Sequence, residues 1–400
     1  MNLQDFIPRL IKLWRGGGSS SVLSSKEYER VSGALLRLQR GLTGDRKLAG
    51  AGYMQENDLL GAYLLYYWPV TFLQVHHAFE TAVLSNEISF ENEVSVLDLG
   101  CGPGPAGISF CNELKKQGVK KIHVTLADYS SKAVSLAKKL YESAFPETDV
   151  CEVIVDIEKK YNSIETVFNK KQGFDAIIIS HALNELWKTQ EDACQKRQNL
   201  ILNIKKILKN DGILFLMEPA LLKTSRSLIE LRNFLVKEGL SVVSPCPSSE
   251  ECPVIKAGDN ITCHGEYALK NVPLVTEIAR RAKLDRNSVK MTYFMFKNGI
   301  ISREEKKGIY TVVSEGMLNK SGRIRFLLCD GNRRIACSAK KDDPHAAETG
   351  FFKLHRYEKI ELINPEVRGD NKDSFGISKE TAVAHPLQQG KSHVSDRKKV

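Results

Sequence analysis

A chain of 400 residues, 42% of them hydrophobic, is long enough for two or three domains with ordinary globular cores. The formal net charge of +10 favours an anionic partner, nucleic acid more than membrane, and no apolar run reaches the length of a membrane span. Nine unevenly spaced cysteines argue against a disulfide framework and favour a reducing compartment with metal-binding thiols.

The first 89 residues are predicted to be helical. Met1–Trp14 has the pattern of a short amphipathic helix, and Gly16–Ser21 has the composition of a linker. Residues 1–24 are therefore predicted to form an N-terminal helix followed by a linker. Apolar residues at helical spacing follow, and Tyr53–Val83 is rich in aromatic residues and leucine. Residues 25–89 are therefore predicted to form a helical N-terminal segment.

From residue 90 the pattern changes to short apolar strands that alternate with helices, which predicts a parallel sheet covered on both faces. The predicted strands are Val94–Leu99, Lys121–Ala127, Val150–Val155, Phe174–Ser180 and Gly212–Met217. The helices between and after them are predicted at Lys132–Phe145, Asp192–Leu208 and Thr224–Glu238.

Two further strands, Leu240–Ser244 and Lys290–Lys297, are predicted to pair and to complete a domain over residues 90–300. An insertion at residues 245–285 separates them and contains a helix near Pro273–Ala282. Residues 301–364 are expected to form a small β module with the turn signal Asp330-Gly331-Asn332. Residues 365–400 are polar and basic and are predicted to be a disordered tail.

A glycine-rich loop, Asp98-Leu99-Gly100-Cys101-Gly102-Pro103-Gly104, directly follows the first strand. Glycines allow a sharp turn and a close approach of backbone to ligand, and the next helix directs its N–H groups at an anionic group. The loop resembles the first motif of class I S-adenosylmethionine-dependent methyltransferases, which have a Rossmann-like α/β fold. That resemblance implies cofactor binding by Asp98, Gly100, Gly102 and Gly104.

Polar residues at the ends of the next strands extend this predicted site. Asp128 suits the ribose hydroxyls, Asp156 resembles the acid that meets the adenine amino group, and His181 follows the fourth strand. A dinucleotide site is the competing interpretation, but its fingerprint requires a glycine where this chain has Pro105. No catalytic residue can be assigned, because no known base-methylation motif is recognisable.

Three cysteines occupy a polar stretch: Cys246 between two prolines, Cys252 before a proline, and Cys263 before His264. Their spacing fits common zinc motifs poorly. A fourth ligand is needed, for which Cys329 is the first candidate and Cys337 and His264 are the alternatives. Cys111, Cys151 and Cys194 are expected to be structural.

The chain resembles the mitochondrial small-ribosomal-subunit assembly methyltransferase-like family and its bacterial relatives. The resemblance rests on the aromatic lead-in around Tyr53–Trp68, the Asp98–Gly104 loop, the segment His181–Leu186, and the three cysteines with their neighbours. It implies a 4Fe–4S cluster, which transfers to Cys246, Cys252, Cys263 and Cys329, in agreement with thiolate ligation of such clusters. It also implies a role on small-subunit ribosomal RNA during ribosome assembly.

The sequence is therefore compatible with three functions: an RNA methyltransferase, a non-catalytic ribosome assembly factor, and a zinc-stabilised small-molecule methyltransferase. Basic residues near the insertion and in the β module offer contacts for RNA phosphates. We expect a monomer without a membrane partner. The compartment is expected to be the bacterial cytoplasm, with the mitochondrial matrix as the alternative, because Met1–Trp14 is a poor presequence.

Overall fold

The computed structural model describes residues 1–18, 20–43, 54–84, 88–168, 173–246, 249–269, 271–299, 301, 308–369 and 373–385. Three parts of the predictions lie outside these ranges: Tyr53 of the aromatic lead-in, Pro247 after Cys246, and residues 386–400 of the basic tail. None of the described helices combines the length and the apolarity that a membrane crossing requires.

The N-terminal part is helical and packs on one face of the first sheet. It contains α1 (Leu3–Arg15), α2 (Ser25–Thr43), α3 (Asn57–Ala62), a π-helical turn (Tyr63–Tyr67) and α4 (Trp68–Leu84). Phe6 of α1 is fully buried, and its ring lies 5.5 Å from that of Trp68 and 5.1 Å from that of Phe72. These aromatic contacts make α1 part of the same core as α4.

The first sheet has mostly parallel strands separated by helices. Its strands are β1 (Glu93–Leu99), β2 (Lys121–Asp128), β3 (Asp149–Ile154), β4 (Phe174–Ser180), β5 (Leu208–Pro219), β6 (Leu240–Ser244), β7 (Gly265–Ala268) and β8 (Ser288–Asn298). The helices among them are α5 (Pro105–Lys116), α6 (Ser131–Ala144), α7 (Ile157–Lys160), α8 (Ile164–Val167), α9 (Ala193–Lys205), α10 (Leu222–Lys237), α11 (Val254–Ala257) and α12 (Pro273–Arg281).

The strand order of this sheet is β3-β2-β1-β4-β5-β8-β6, with β7 added on β8. The pairs from β3 to β5 are parallel, whereas β8 runs antiparallel to both β5 and β6. One antiparallel strand between two parallel ones at this edge is the topology of class I S-adenosylmethionine-dependent methyltransferases. The predicted fold class is thereby confirmed, as is the pairing of Leu240–Ser244 with the strand around Lys290–Lys297.

Both faces of the first sheet are buried, because helices cover each of them, and successive residues of a strand point to opposite faces. Val94 and Val96 of β1 belong to a core formed with the N-terminal helices, whereas Leu97 and Leu99 belong to a second core. The second core is closed by residues of α9 and α10. The loop after β1 therefore leaves the sheet at an edge where both cores meet.

The second sheet has the order β14-β15-β12-β11-β9-β13-β16, with β10 paired to β11. Its elements are β9 (Ile309–Val312), β10 (Met317–Leu318), β11 (Arg323–Cys329), β12 (Arg334–Lys340), α13 (Pro344–Glu348), β13 (Lys359–Ile363), β14 (Glu366–Arg368), β15 (Ser374–Gly376) and β16 (Ala382–Ala384). The prediction that a disordered tail begins at residue 365 is wrong, because β14, β15 and β16 are hydrogen-bonded strands of this sheet.

Candidate functional site

The loop between β1 and α5 forms the first part of the site. Gly100, Gly102 and Gly104 all have left-handed backbone angles, with φ of 73°, 51° and 78°. A Cβ on Gly100 would lie 2.7 Å from the Cβ of Ala182, so this position also requires the absence of a side chain. The glycines therefore allow the loop to turn sharply beside the end of β4.

Asp98 connects the strand end to the helix that follows the loop. Its side chain is buried, and Oδ2 accepts a hydrogen bond from the backbone N–H of Gly107 at 3.0 Å. Burial raises the pKa of Asp98 to about 7. This hydrogen bond suits Asp98 to orient the glycine loop.

Asp128 and Asp156 follow β2 and β3 but have different surroundings. Asp128 accepts from the N–H of Gly102 and of Ser130, each at 2.9 Å, and burial raises its pKa. Asp156 caps α7 and pairs with Lys159 at 2.9 Å, an interaction that lowers its pKa. Asp128 thus touches the glycine loop directly, whereas Asp156 is held by its own helix.

His181 lies immediately after β4 with a left-handed φ of 56°. Its Nε2 is 2.9 Å from Oε1 of Gln74, whose amide nitrogen donates to the carbonyl of Lys290. Nε2 therefore carries the proton and Nδ1 is an acceptor, and burial lowers the pKa of His181 to about 4. Nδ1 and the hydroxyl of Ser180 are both buried with no hydrogen-bond partner among the described residues.

Glu218, near the end of β5, organises the segment that follows β4. One carboxylate oxygen accepts from the backbone N–H of Asn184 at 3.1 Å, and the other accepts from its side-chain amide. Burial raises the pKa of Glu218 to about 8, and Arg197 donates to the carbonyls of Asn184 and Leu186. Glu218, Asn184 and Arg197 line a cavity on the α9–α10 side of the edge.

The π-helical turn covers the glycine loop from the other side. The hydroxyl of Tyr63 lies 3.4 Å from where a Cβ on Gly102 would be, and Trp68 donates from Nε1 to the carbonyl of Pro103 at 3.1 Å. Burial, with Asp128 and Asp98 nearby, raises the pKa of Tyr63. π-Helical turns are frequent at functional sites, but the sequence alone did not indicate that Tyr63 reaches this loop.

The second part of the site is a cavity between the two sheets, hereafter the cysteine cavity. It is lined by Cys246, Cys252, Cys263 and Cys329, together with Arg232, Arg334 and Tyr357 among others. The alternatives for the fourth cysteine lie elsewhere: Cys337 is fully buried in the core of the β module, and His264 is not among the lining residues.

Each cysteine of the cavity is fixed by a different element. Cys246 follows β6, and the carbonyl of its neighbour Pro245 accepts from Thr311 of β9 at 2.9 Å. Cys252 donates its N–H to Asn233 of α10 at 3.1 Å. Cys263 precedes β7, and Cys329 ends β11. The cavity therefore depends on contacts between the two sheets.

The thiols of the cavity influence one another. Burial, with Cys246 and Cys263 nearby, raises the pKa of Cys252 to about 12, and burial with Cys246 raises that of Cys263 to about 11. The pKa of Cys329 is also raised, first by burial and then by the other three sulfurs. None of the nine cysteines, all of which are described, forms a disulfide. A bound cation would favour their thiolate forms.

The remaining cysteines and the basic residues are arranged differently from the sequence-based expectation. Cys111 is buried as predicted, but Cys151 and Cys194 are exposed. Several basic side chains have acidic partners: Arg280 and Arg281 pair with Glu277. The positive charge that the insertion could offer to RNA phosphates is therefore partly neutralised by an acidic residue of the same chain.

Comparison with known proteins identifies the family. The family model described as "Mitochondrial small ribosomal subunit Rsm22" matches residues 59–338, which is more than half of the chain. The chain belongs to the Rsm22 family. The predicted family resemblance is thereby confirmed. No curated protein matches the sequence.

Solved structures similar to this Rsm22-family chain include several methyltransferases. A class I S-adenosylmethionine-dependent methyltransferase of Listeria monocytogenes has 12% identity and a TM-score of 0.34, with 71% of this chain and 91% of that chain covered. The plantazolicin methyltransferase BamL has 14% identity and a TM-score of 0.35, with 68% of this chain and 98% of that chain covered. An RNA methyltransferase of Pyrococcus horikoshii has 14% identity and a TM-score of 0.32, with 56% of this chain and 85% of that chain covered.

The matched region of the Rsm22 family model contains both parts of the site. It begins before Tyr63 and ends after Cys329, so the loop, the strand ends and all four cysteines of the cavity lie inside it. Sequence reasoning assigned neither Glu218 nor Arg334 to the site, although Arg334 was among the basic residues of the β module expected to contact RNA phosphates. The only available signal was position, since Glu218 lies near the end of a predicted strand and Arg334 faces Cys329 across a predicted turn.

Proposed function

We propose that this chain binds S-adenosylmethionine at the carboxyl edge of the first sheet. The residues that would hold it are Asp98, Gly100, Gly102, Gly104, Asp128, Asp156 and His181. The proposal is supported by the left-handed glycines and by two buried polar atoms without partners, Ser180 Oγ and His181 Nδ1. When bound, the cofactor supplies an activated methyl group, and His181 is suited to accept a hydrogen bond from a ligand donor.

We further propose that the cysteine cavity holds a 4Fe–4S cluster through Cys246, Cys252, Cys263 and Cys329. The donor set consists of four thiols, as such clusters require. Arg334 adds a buried Nε–H with no partner among the described residues, which suits an anionic group. This convergence of four cysteines from two sheets on one cavity is the observation that carries the proposal.

Zinc is the competing occupant, and the spacing of the sulfurs argues against it. In tetrahedral zinc sites with Zn–S bonds of about 2.3 Å, neighbouring sulfurs are about 3.8 Å apart. Among the described residues, no three of these sulfurs lie within 4.8 Å of one another. A cluster that bonds each cysteine to a different iron fits this wider spacing better than a single ion.

The protein is proposed to act on or to bind small-subunit ribosomal RNA during ribosome assembly. Membership of a family described as mitochondrial small ribosomal subunit supports this proposal. The same description favours the mitochondrial matrix over the bacterial cytoplasm that we expected. The cluster would then tie the insertion after β6 to the β module, and so shape the surface that meets RNA.

A non-catalytic assembly factor is the second candidate, and one observation favours it. Glu218 lies beside the segment after β4, and Asn184 donates to both of its carboxyl oxygens. Because burial raises the pKa of Glu218 to about 8, this group stays protonated at neutral pH, and the edge is better suited to binding than to proton abstraction. Mapping methylated nucleotides of ribosomal RNA with and without the protein separates the two candidates, since an unchanged map contradicts methyl transfer.

The test of the proposed function links the cysteine cavity to ribosome binding. Anaerobically purified wild-type protein is sedimented with small ribosomal subunits and compared with the variants Cys252→Ser and Cys194→Ser. We expect Cys252→Ser to lose both its iron and its co-sedimentation. Cys194→Ser replaces an exposed thiol outside the cavity and should retain both.

Two outcomes contradict parts of this account. If Cys252→Ser loses iron but still sediments with the subunit, the cluster does not shape the binding surface. If neither wild type nor variant sediments with small subunits, the ribosomal assignment is wrong.

A further inference from the structure

A group of metal-ligating side chains lies on α4, apart from the cysteine cavity. His76, His77 and Glu80 each offer one ligand atom, and these three atoms all lie within 4.8 Å of one another. Residues three and four positions apart share one face of a helix, so Glu80 can approach both histidines at once. We refer to these three residues as the His-His-Glu cluster.

The distances within the cluster match a metal site better than hydrogen bonds. Glu80 Oε2 is 3.5 Å from Nε2 of His76 and 3.6 Å from Nδ1 of His77. Good hydrogen bonds between nitrogen and oxygen are about 2.7–3.2 Å long. Ligand atoms bound to tetrahedral zinc at about 2.0–2.2 Å are separated by about 3.4 Å, close to both distances.

An ordinary ion pair between histidine and carboxylate is the simpler interpretation, and the same molecule provides an example. His123 bridges Glu93 and Asp149 with nitrogen–oxygen distances of 2.8 and 3.0 Å. The contacts of Glu80 are longer by half an ångström or more and are made to two imidazoles by one oxygen. The His-His-Glu cluster therefore differs from a simple ion pair in both spacing and composition.

Both histidines are held in place by residues of other elements. Glu113 of α5 is buried and accepts from Nδ1 of His76 at 3.0 Å, so in the neutral ring Nε2 is the nitrogen with the lone pair. The ring of His77 stacks on Tyr267 of β7, with centroids 4.3 Å apart and planes within 5°. A carboxylate behind a ligating histidine is a regular feature of metal sites.

From this geometry we infer that the His-His-Glu cluster is a binding site for a divalent transition-metal ion of the zinc type. Two imidazoles and one carboxylate are a common zinc ligand set, and the fourth position faces solvent, since the side chain of Glu80 is 53% exposed. All three ligands come from α4, while Glu113 of α5 and Tyr267 of β7 hold the two imidazole rings in place. This inference does not rest on the proposed cluster or on the proposed function.

Zinc binding to the full-length protein tests the inference. The cysteine cavity is left unchanged in every sample, and the stoichiometry of Zn²⁺ is measured against a competing chelator in wild type, Glu80→Gln and His123→Ala. Glu80→Gln removes one ligand at a mostly exposed position, so it should fold. His123→Ala removes a histidine–carboxylate contact elsewhere and serves as the matched control.

We expect wild type and His123→Ala to bind one more equivalent of Zn²⁺ than Glu80→Gln, and Glu113→Gln to bind it roughly 10–100-fold more weakly. Addition of Zn²⁺ should raise the melting temperature of wild type more than that of Glu80→Gln. Equal stoichiometry in wild type and Glu80→Gln, or an extra equivalent that binds only at millimolar Zn²⁺, overturns the inference.

Discussion

The cofactor edge and the cysteine cavity differ in how their residues are distributed along the chain. The edge is built around seven consecutive residues, Asp98–Gly104, and its acids follow neighbouring strands of one sheet. The cavity takes its four cysteines from positions 246 to 329, on elements of both sheets. The edge can therefore form as soon as the first sheet folds, whereas the cavity also requires the β module to dock.

The two regions also differ in what satisfies their polar groups. At the edge, Asp98, Asp128 and Glu218 all accept hydrogen bonds from the chain itself. In the cavity, burial and neighbouring sulfurs raise the pKa values of the thiols. The edge is thus organised before a ligand arrives, while the thiolate form of the cavity depends on a bound cation.

The largest expected effect comes from removing the cysteine that only the β module supplies. Cys329→Ser should lose nearly all bound iron, because three thiolates from the insertion cannot complete the site. Iron content after anaerobic purification measures this loss. Cys151→Ser, which replaces an exposed thiol of β3, should keep its iron. If Cys337→Ser loses iron while Cys329→Ser keeps it, the assignment of the fourth ligand is wrong.

A smaller effect is expected at Glu218, whose pKa is raised by burial from 4.5 to about 8. The folded chain keeps this proton up to about pH 8, whereas the unfolded chain releases it near pH 4.5, so stability should fall as the pH rises between these values. The loss from pH 5 to pH 8 is at most about 4 kcal/mol.

Glu218→Gln isolates the contribution of this carboxyl group, since Asp98 titrates in the same direction in both proteins. Urea unfolding of wild type and variant at pH 5 and pH 8 measures the change. The variant should lose less stability than wild type over this interval. Equal losses in the two proteins would mean that Glu218 is ionised in the folded chain at pH 5.

The smallest effect concerns the shape of the glycine loop. Gly100→Ala introduces both a left-handed alanine and a contact 2.7 Å from Ala182, whereas Gly118→Ala introduces only the unfavourable φ of +90° in open space. The left-handed alanine should lower the free energy of unfolding by about 1 kcal/mol in both variants. Crowding against Ala182 should lower it by a further ~1–2 kcal/mol at Gly100. Unfolding free energies of the two variants give the difference, and equal values would contradict the crowded loop.

Much of the first sheet was predictable because its signals are local. The strands Phe174–Ser180 and Leu240–Ser244 were predicted with the observed bounds, and the glycine loop indicated the fold class. The strands β14 to β16 were missed because each has three residues and is held by long-range pairing, not by its own apolar pattern. Local composition in that region resembles a disordered tail.

The parts of the site that the sequence could not provide depend on contacts between distant segments. Tyr63 reaches the glycine loop only because the π-helical turn lies over it, and Arg334 reaches the cavity only through its register opposite Cys329. Spacing in the sequence alone could not decide whether Cys329 or Cys337 is the fourth ligand. Their positions in the β module separate them, since Cys337 belongs to the apolar core and Cys329 ends its strand at the cavity.

The most direct test of the central claim, that four cysteines from two sheets hold one cluster, is the iron and acid-labile sulfide content of the anaerobically purified wild-type protein. We predict about four iron atoms and four sulfides per chain. A colourless protein with stoichiometric zinc bound through its cysteines, and without iron or sulfide, would contradict the claim.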